Sequence, residues 1–226
     1  MERQQTLRAT IAFAGVGLHT GIDARLRLVP APAGTGLCVR LDGGEAFPAT
    51  SDSVVETRRA TVLGDGRRTV STVEHVLSAL FALGVDNALI EVDGGEVPVL
   101  DGSAAPYADA IAATGLCELD APRRRFRIDA PAVFEDGDAA VVVSPSPTDS
   151  FRLRFAVDFA TPVGAQYLDL ALDAATYRRE IAPARTFGYL HEVEALLAAG
   201  LARGGSLDNA LVFGPEGPLT PLLWPN

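Results

Sequence analysis

An α+β fold is expected of these 226 residues on three observations. Short runs with period-two alternation surround glycine-bearing turns near the N-terminus, two stretches of helical period follow, and strand-like runs return in the second half. Taken in order, Thr6 to Phe13 and Asp23 to Val29 read as strands around the Gly15 to Gly21 turn, and Gly36 to Leu41 as a further strand. A helix is expected from Ser71 to near Gly84, because Val73, Val76, Leu77, Leu80 and Leu83 fall on one face at helical spacing. Ala88 to Val92 reads as a strand, and Ala105 to Ala113 as a second, alanine-rich helix. Ala121-Pro122-Arg123-Arg124-Arg125 interrupts the apolar pattern and is the linker candidate, which divides the chain into 1–121 and 126–226. Beyond it, Phe126 to Ile128, Ala139 to Val143 and Phe151 to Phe155 read as strands. Helices are expected around Ala174 to Glu180 and from Glu192 to Leu201, ahead of the Gly204-Gly205 turn. Asp86-Asn87-Ala88-Leu89 recurs as Asp208-Asn209-Ala210-Leu211, each time between a Leu/Ala helix with a glycine stop and an apolar run.

Composition narrows the class. With 48% hydrophobic and 21% charged residues the chain is globular, long enough for two modest cores or one large one. A net charge of −10 and the lack of a Lys/Arg-rich tract argue against nucleic acid as a partner. No stretch reaches the roughly 18 apolar residues that span a bilayer, and Met1 to Gln5 opens no secretory segment, so a cytoplasmic, monomeric protein is expected. Cys38 and Cys117 are too few and too far apart for a disulfide framework or a CxxC metal site, and read as small apolar residues in a reducing compartment.

The chemistry-bearing stretch is Ser71-Thr72-Val73-Glu74-His75, which sets a carboxylate beside an imidazole at the mouth of the first helix. His75 is one of only three histidines and falls on a face with Ser78, Ala79 and Ala82, small residues of the kind that lie against another element or a cleft. A plain reading competes. Ser71 followed three residues later by Glu74, ahead of an apolar run, is a capping-box pattern that needs neither metal nor chemistry.

Several further segments stand in order along the chain: Gly15-Val16-Gly17-Leu18-His19-Thr20-Gly21, Arg27 to Gly36, Ser71 to His75, Pro98-Val99-Leu100-Asp101-Gly102-Ser103-Ala104-Ala105-Pro106, Ala184-Arg185-Thr186-Phe187-Gly188 and Gly204 to Ala210. Together, from about Gln5 to Asn226, they resemble the UDP-3-O-acyl-N-acetylglucosamine deacetylases, zinc enzymes of lipid A synthesis. The resemblance implies two two-layer α+β sandwich domains of like topology, packed helix layer to helix layer with the site between them. It implies a UDP-linked acylated amino sugar as substrate and Zn²⁺ as cofactor. It also implies Glu74 as general base, His75 as a metal ligand, Thr186 as a hydroxyl donor to the oxyanion, and His19 and Phe187 as substrate-binding residues of the cleft.

Read without the resemblance, His19 is a turn residue and Thr186 an ordinary threonine after an arginine. Asp101-Gly102-Ser103 is a turn that caps the second helix, and His191 is a solvent-facing residue at a helix start. The segment at about 188–213 matches an insert that holds the fatty-acyl chain in the family. Its Leu190, Val193, Leu196, Leu197, Leu201, Leu207, Leu211 and Val212 fit either a hydrocarbon passage or a domain core.

The chain departs from the family past Leu222 to Asn226, where members continue into a helix carrying His-Lys-x-x-x-Asp and a later histidine. The second histidine ligand, the aspartate ligand and the general acid therefore have no counterpart, and the second domain is expected to be incomplete. A catalytic zinc ion calls for three protein ligands, so one histidine is not expected to retain it. Two readings remain: a zinc-dependent amide hydrolase represented by an incomplete chain and inactive as it stands, or a non-catalytic paralogue that binds a UDP-sugar, an acyl ligand or a protein.

Overall fold

The computed structural model describes residues 2–148 and 150–222, which leaves Leu223 to Asn226 of the departing segment outside the described residues. The first strands are β1 (Arg3–Leu7), β2 (Ile11–Val16), β3 (Asp23–Pro30), β4 (Leu37–Leu41) and β5 (Ala46–Pro48), followed by β6 (Val54–Glu56), β7 (Val62–Gly64) and β8 (Thr69–Val70). Helix α1 (Glu74–Ala82), strand β9 (Ala88–Asp93), helix α2 (Ala105–Thr114) and strand β10 (Leu116–Pro122) complete this half. A five-stranded sheet runs β2-β3-β9-β4-β5, antiparallel except for the parallel β4–β9 pair. β6-β7-β8 form a smaller antiparallel sheet, and β1 pairs with β10.

The pleat explains how this sheet acquires two faces. Ala24, Leu26 and Leu28 of β3, Val39 and Leu41 of β4, and Ala88, Ile90 and Val92 of β9 alternate inward and are buried. On the other face Glu91 accepts ion pairs from Arg27 at 2.8 Å and Arg40 at 3.0 Å. The inward face meets Val76, Ala79 and Leu80 of α1 and Tyr107, Ala108 and Ile111 of α2 in one core cluster. α1 stops at a left-handed Gly84 (φ 80°), where the Val85 N–H reaches back to the Leu80 carbonyl at 2.9 Å.

The second half is mostly sheet. β11 (Ala132–Asp136) and β12 (Ala139–Val143) form one hairpin, β13 (Phe151–Asp158) and β14 (Ala165–Leu172) another. A short α3 (Ala174–Thr176) runs into a π-helical turn over Tyr177–Ile181. β15 (Phe187–Tyr189), a 3₁₀ turn, α4 (Val193–Ala198), β16 (Leu211–Gly214) and β17 (Gly217–Pro218) follow, with β15 parallel to β16. The chain is thus mixed α+β, rich in sheet with few helices. No helix among the described residues is long and apolar enough to cross a membrane. Apolar side chains stand exposed on both hairpins, among them Phe134, Val142, Phe155 and Tyr167. From this half, Tyr177 and Ala182 enter the core cluster.

The repeated Asp-Asn-Ala-Leu tetrapeptide has a shared local role. Each copy leads into a strand with a parallel partner, β9 beside β4 and β16 beside β15. Both asparagines are buried and pin glycine-bearing loops: Asn87 accepts from Gly36 N at 2.9 Å, and Asn209 donates to Gly204 O at 2.9 Å while accepting from Ser206 N at 2.7 Å.

Several expectations are corrected. Thr6 to Phe13 is two strands, because the chain turns at Arg8 to Thr10 and β1 leaves to pair with β10. β10 extends to Pro122, so the irregular connection begins at Arg123 and runs through Phe126 to Ile128, which form no strand; Phe126 is 92% exposed. The helix expected from Ser71 begins at Glu74. Cys117 is exposed, whereas Cys38 is half-buried and its thiol is pushed up by desolvation; both are free.

Candidate active site

The approach to α1 is set by backbone pairing. Ser71 N–H bonds to Gly95 O at 3.1 Å and Val97 N–H to Ser71 O at 3.1 Å, while Val73 N–H reaches Thr61 O at 3.3 Å. Between them Thr72 sits in the left-handed region (φ 60°), an unusual place for a β-branched residue. The capping box is not formed: Val73 is the N-cap, no side chain caps it, and Glu74 is already the first helical residue. Glu74 Oε2 instead accepts from Thr61 N at 2.9 Å, so its carboxylate ties α1 to the β6–β7 connection.

Glu74 and His75 line a narrow cleft of about 10 Å³, room for about one water, with Thr72, Tyr107 and Thr186 around them and Leu18, Pro98 and Val99 as apolar wall. Thr186 is brought there by its own backbone: Thr186 N–H donates to Gly102 O at 2.7 Å and Leu211 N–H to Thr186 O at 2.9 Å. Gly102 makes that approach possible, since a Cβ there would come within 2.0 Å of Asn209 O. Asp101 accepts from Ser103 N and Oγ at 2.9 Å, and Ser103 Oγ accepts from Ala105 N at 3.1 Å, so the turn is held within itself and to the start of α2, but the expected cap is not formed: Ala104 is the N-cap and no side chain caps it.

Burial lowers the His75 pKa from its ordinary value, against the opposing pull of the Glu74 and Asp101 carboxylates. The sign for stability follows. A folded-state value depressed below about 6.5 makes a contribution that is present above that pH and lost as pH falls, because the unfolded imidazole binds the proton more readily. We expect the urea midpoint to fall more between pH 7.5 and pH 5 in the unaltered chain than in His75→Gln; parallel falls in the two proteins would contradict this. On the same wall, burial also raises the Tyr107 phenol, whose hydroxyl donates to Pro98 O.

The other expected site residues sit elsewhere. His19 is outside the cleft lining, although its neighbour Leu18 is in it. Its Nε2 lies 3.2 Å from Arg59 O, and Nδ1 accepts from Ala202 N at 3.4 Å, so the ring bridges the glycine turn to both halves. Phe187 packs edge-on against Phe159, with ring centroids 5.1 Å apart, and against Phe213 at 6.0 Å. His191 is exposed, as expected, beside Tyr189 on a second hollow that also includes Thr161, Leu190 and Phe213. Within the 188–213 segment Leu190, Leu197 and Leu207 are nearly half exposed.

Sequence reasoning missed Arg59, Tyr107 and Glu96. Arg59 lines the cleft in a left-handed conformation (φ 66°), and its guanidinium is held by Glu192 of the second half at 3.0 Å. Glu96 is fully buried. The only signal for it was a lone charge inside the otherwise uncharged run Gly94 to Leu100. Among the described residues no group of three His, Cys, Asp or Glu side chains could hold a metal ion. The donor set at His75 therefore does not by itself fit zinc.

Glu74, His75 and Thr186 thus bring a carboxylate, a half-buried imidazole and a hydroxyl-bearing residue to the lining of one cleft. The chain belongs to the UDP-3-O-acyl N-acetylglycosamine deacetylase (LpxC) family, whose model matches residues 4–226. It is 46% identical over 222 residues to the UDP-3-O-acyl-N-acetylglucosamine deacetylase of Syntrophotalea carbinolica, an alignment covering 96% of this chain and 71% of the relative. The enzymes of the same name from Acidithiobacillus ferrooxidans and Phenylobacterium zucineum are 45% and 46% identical, over 94% and 96% of this chain and 71% and 76% of their own lengths.

Proposed function

We propose that this chain carries the base-bearing part of an amide hydrolase that removes the N-acetyl group from a UDP-linked, O-acylated N-acetylglucosamine in lipid A synthesis. The observation that carries the reading is the meeting of Glu74, His75 and Thr186 in one cleft although Thr186 lies in the other half of the sequence. Thr61 N–H occupies Glu74 Oε2, and no protein donor among the described residues engages Oε1, which suits it to take a proton from water. The Thr186 hydroxyl can donate to the oxygen of a tetrahedral intermediate. The N-acetyl group is proposed to lie over the mouth of the cleft, with the nucleotide and acyl chain toward His19 and the Phe187 cluster. The unit 1–121 would then supply base and imidazole, and 126–226 the hydroxyl and, at 188–213, an apolar run for the acyl chain.

Zn²⁺ is proposed as the metal, with His75 as one ligand and the others from residues not among those described. No hydrolytic step is assigned to the ion on this donor set. That no three-ligand cluster occurs among the described residues leaves room for a second reading, a non-catalytic paralogue that binds a UDP-sugar, an acyl ligand or a protein. One assay separates them. The chain extended by a C-terminal segment bearing the His-Lys-x-x-x-Asp motif of the resembled family should release acetate from UDP-3-O-acyl-N-acetylglucosamine, and the 226 residues alone should not. A folded, metal-loaded extended chain that releases none would favour the second reading.

A further inference from the structure

We propose that Glu96 is the positioning residue of the Glu74–His75 site, a role that rests on reading that cleft as catalytic. Glu96 is fully buried, and its two carboxylate oxygens accept four hydrogen bonds. Oε1 takes His19 N–H and Thr72 Oγ, both at 2.9 Å; Oε2 takes Thr20 N–H at 2.9 Å and Thr20 Oγ at 2.7 Å. One side chain thus fastens the glycine turn that carries Leu18 and His19 to the residue two places before Glu74.

The fastening is specific to a carboxylate of this length. Gly17 leaves room for it, since a Cβ there would fall 2.2 Å from Glu96 Oε2 and 2.4 Å from Thr20 Oγ. Buried donors facing a carboxylate lose their partners if one oxygen becomes an amide nitrogen, because the amide presents donors of its own. Thr72 is the point at which the clamp reaches the site. Its left-handed backbone persists only where surroundings over-determine it, and here the constraints are the Ser71 pairing with Gly95 and Val97 on one side and the Thr72 hydroxyl bond to Glu96. Val73 and the first turn of α1 follow directly, so the Glu74 and His75 side chains inherit the direction set at Thr72.

The test needs no metal and no substrate. In Glu96→Gln, hydrogen exchange at the His19 and Thr20 amides should quicken about tenfold or more, and the ¹H–¹³C resonance of the His75 ring should shift at fixed pH. The Ile90 and Val92 amides of the core serve as the internal reference for stability. Thr72→Val removes only the relay: the His75 resonance should shift while His19 and Thr20 exchange stays as in the parent. Glu96→Asp, which keeps the carboxylate, should recover part of the loop protection. A His75 resonance unmoved in both Glu96→Gln and Thr72→Val would overturn the proposal, leaving Glu96 a clamp for the turn alone. Equal loss of protection at loop and core amides, with no separate response to Thr72→Val, would overturn it as well, as an effect of global stability. Should Glu96→Gln fail to fold, the Thr72→Val resonance decides the question. If these responses appear but the extended chain releases no acetate, the deacetylase reading fails and the positioning role of Glu96 stands.

Discussion

Glu74→Ala in a chain extended to full family length should reduce turnover by about 10²- to 10⁴-fold, the range expected for loss of a general base, with the metal content unchanged. His75→Ala in the same protein should lose both metal and turnover. The two outcomes separate because the side chains are suited to different jobs: Glu74 has one oxygen fixed by Thr61 N–H and one available, and His75 presents a half-buried imidazole whose pKa burial lowers. The structure removes the simplest competing account of the motif, since Ser71 and Glu74 do not cap the helix. What Glu74→Ala costs in folding is then the Thr61 bond, of the order of 1 kcal/mol, too little to unfold the protein and small enough for catalysis to be measured in the folded variant. Metal analysis beside acetate release reads both quantities. An extended enzyme that turns over normally without Glu74 would end the base assignment.

Hydrogen exchange should divide the chain. Amides of β3, β4 and β9, between which Leu26, Leu28, Val39 and Ile90 are almost fully buried, should exchange only through global unfolding. Those of the β11–β12 and β13–β14 hairpins should exchange at least a thousandfold faster. An isolated two-stranded hairpin is marginal in water; β11–β12 exposes Val133 and Phe134, Val141 and Val142, neighbours that point to opposite faces, and β13–β14 exposes Phe151, Phe155 and Tyr167. The same apolar surface should make the chain self-associate as concentration rises. Equal protection in β9 and β13 would show that the second half is as stable as the first and that its exposed side chains cost it nothing.

The elements legible in the sequence are those whose side chains are sorted by one buried face. β3, β9 and α1 declared themselves through Ala24-Leu26-Leu28, Ala88-Ile90-Val92 and Val76-Leu80, and α1 also through the left-handed glycine that ends it, Gly84. The break between β1 and β2 was not legible, because Arg8-Ala9-Thr10 carries neither glycine nor proline and only the distant pairing of β1 with β10 reveals it. β11 was missed because it is held by its hairpin partner with little burial, which leaves no alternation to read, whereas β14 does alternate through Leu168, Leu170 and Leu172 and was overlooked. At the site, Glu74, His75 and Thr186 were identified through resemblance, and the structure adds that they share a cleft. Glu96 was out of reach of any local pattern. The donors that define it come from Thr72, His19 and Thr20, separated from it in sequence by 24, 77 and 76 residues, and only the fold brings them together.

His75 is proposed above as one ligand of a metal centre completed by residues not among those described. Zinc content after gel filtration tests it most directly, measured on the chain alone and on the chain extended with a segment bearing the His-Lys-x-x-x-Asp motif of the resembled family. The account predicts well under one equivalent of zinc per chain for the 226 residues and close to one for the extended protein, falling again in His75→Ala. Stoichiometric zinc in the monomeric 226-residue chain, or a full equivalent retained by the extended His75→Ala protein, would contradict it.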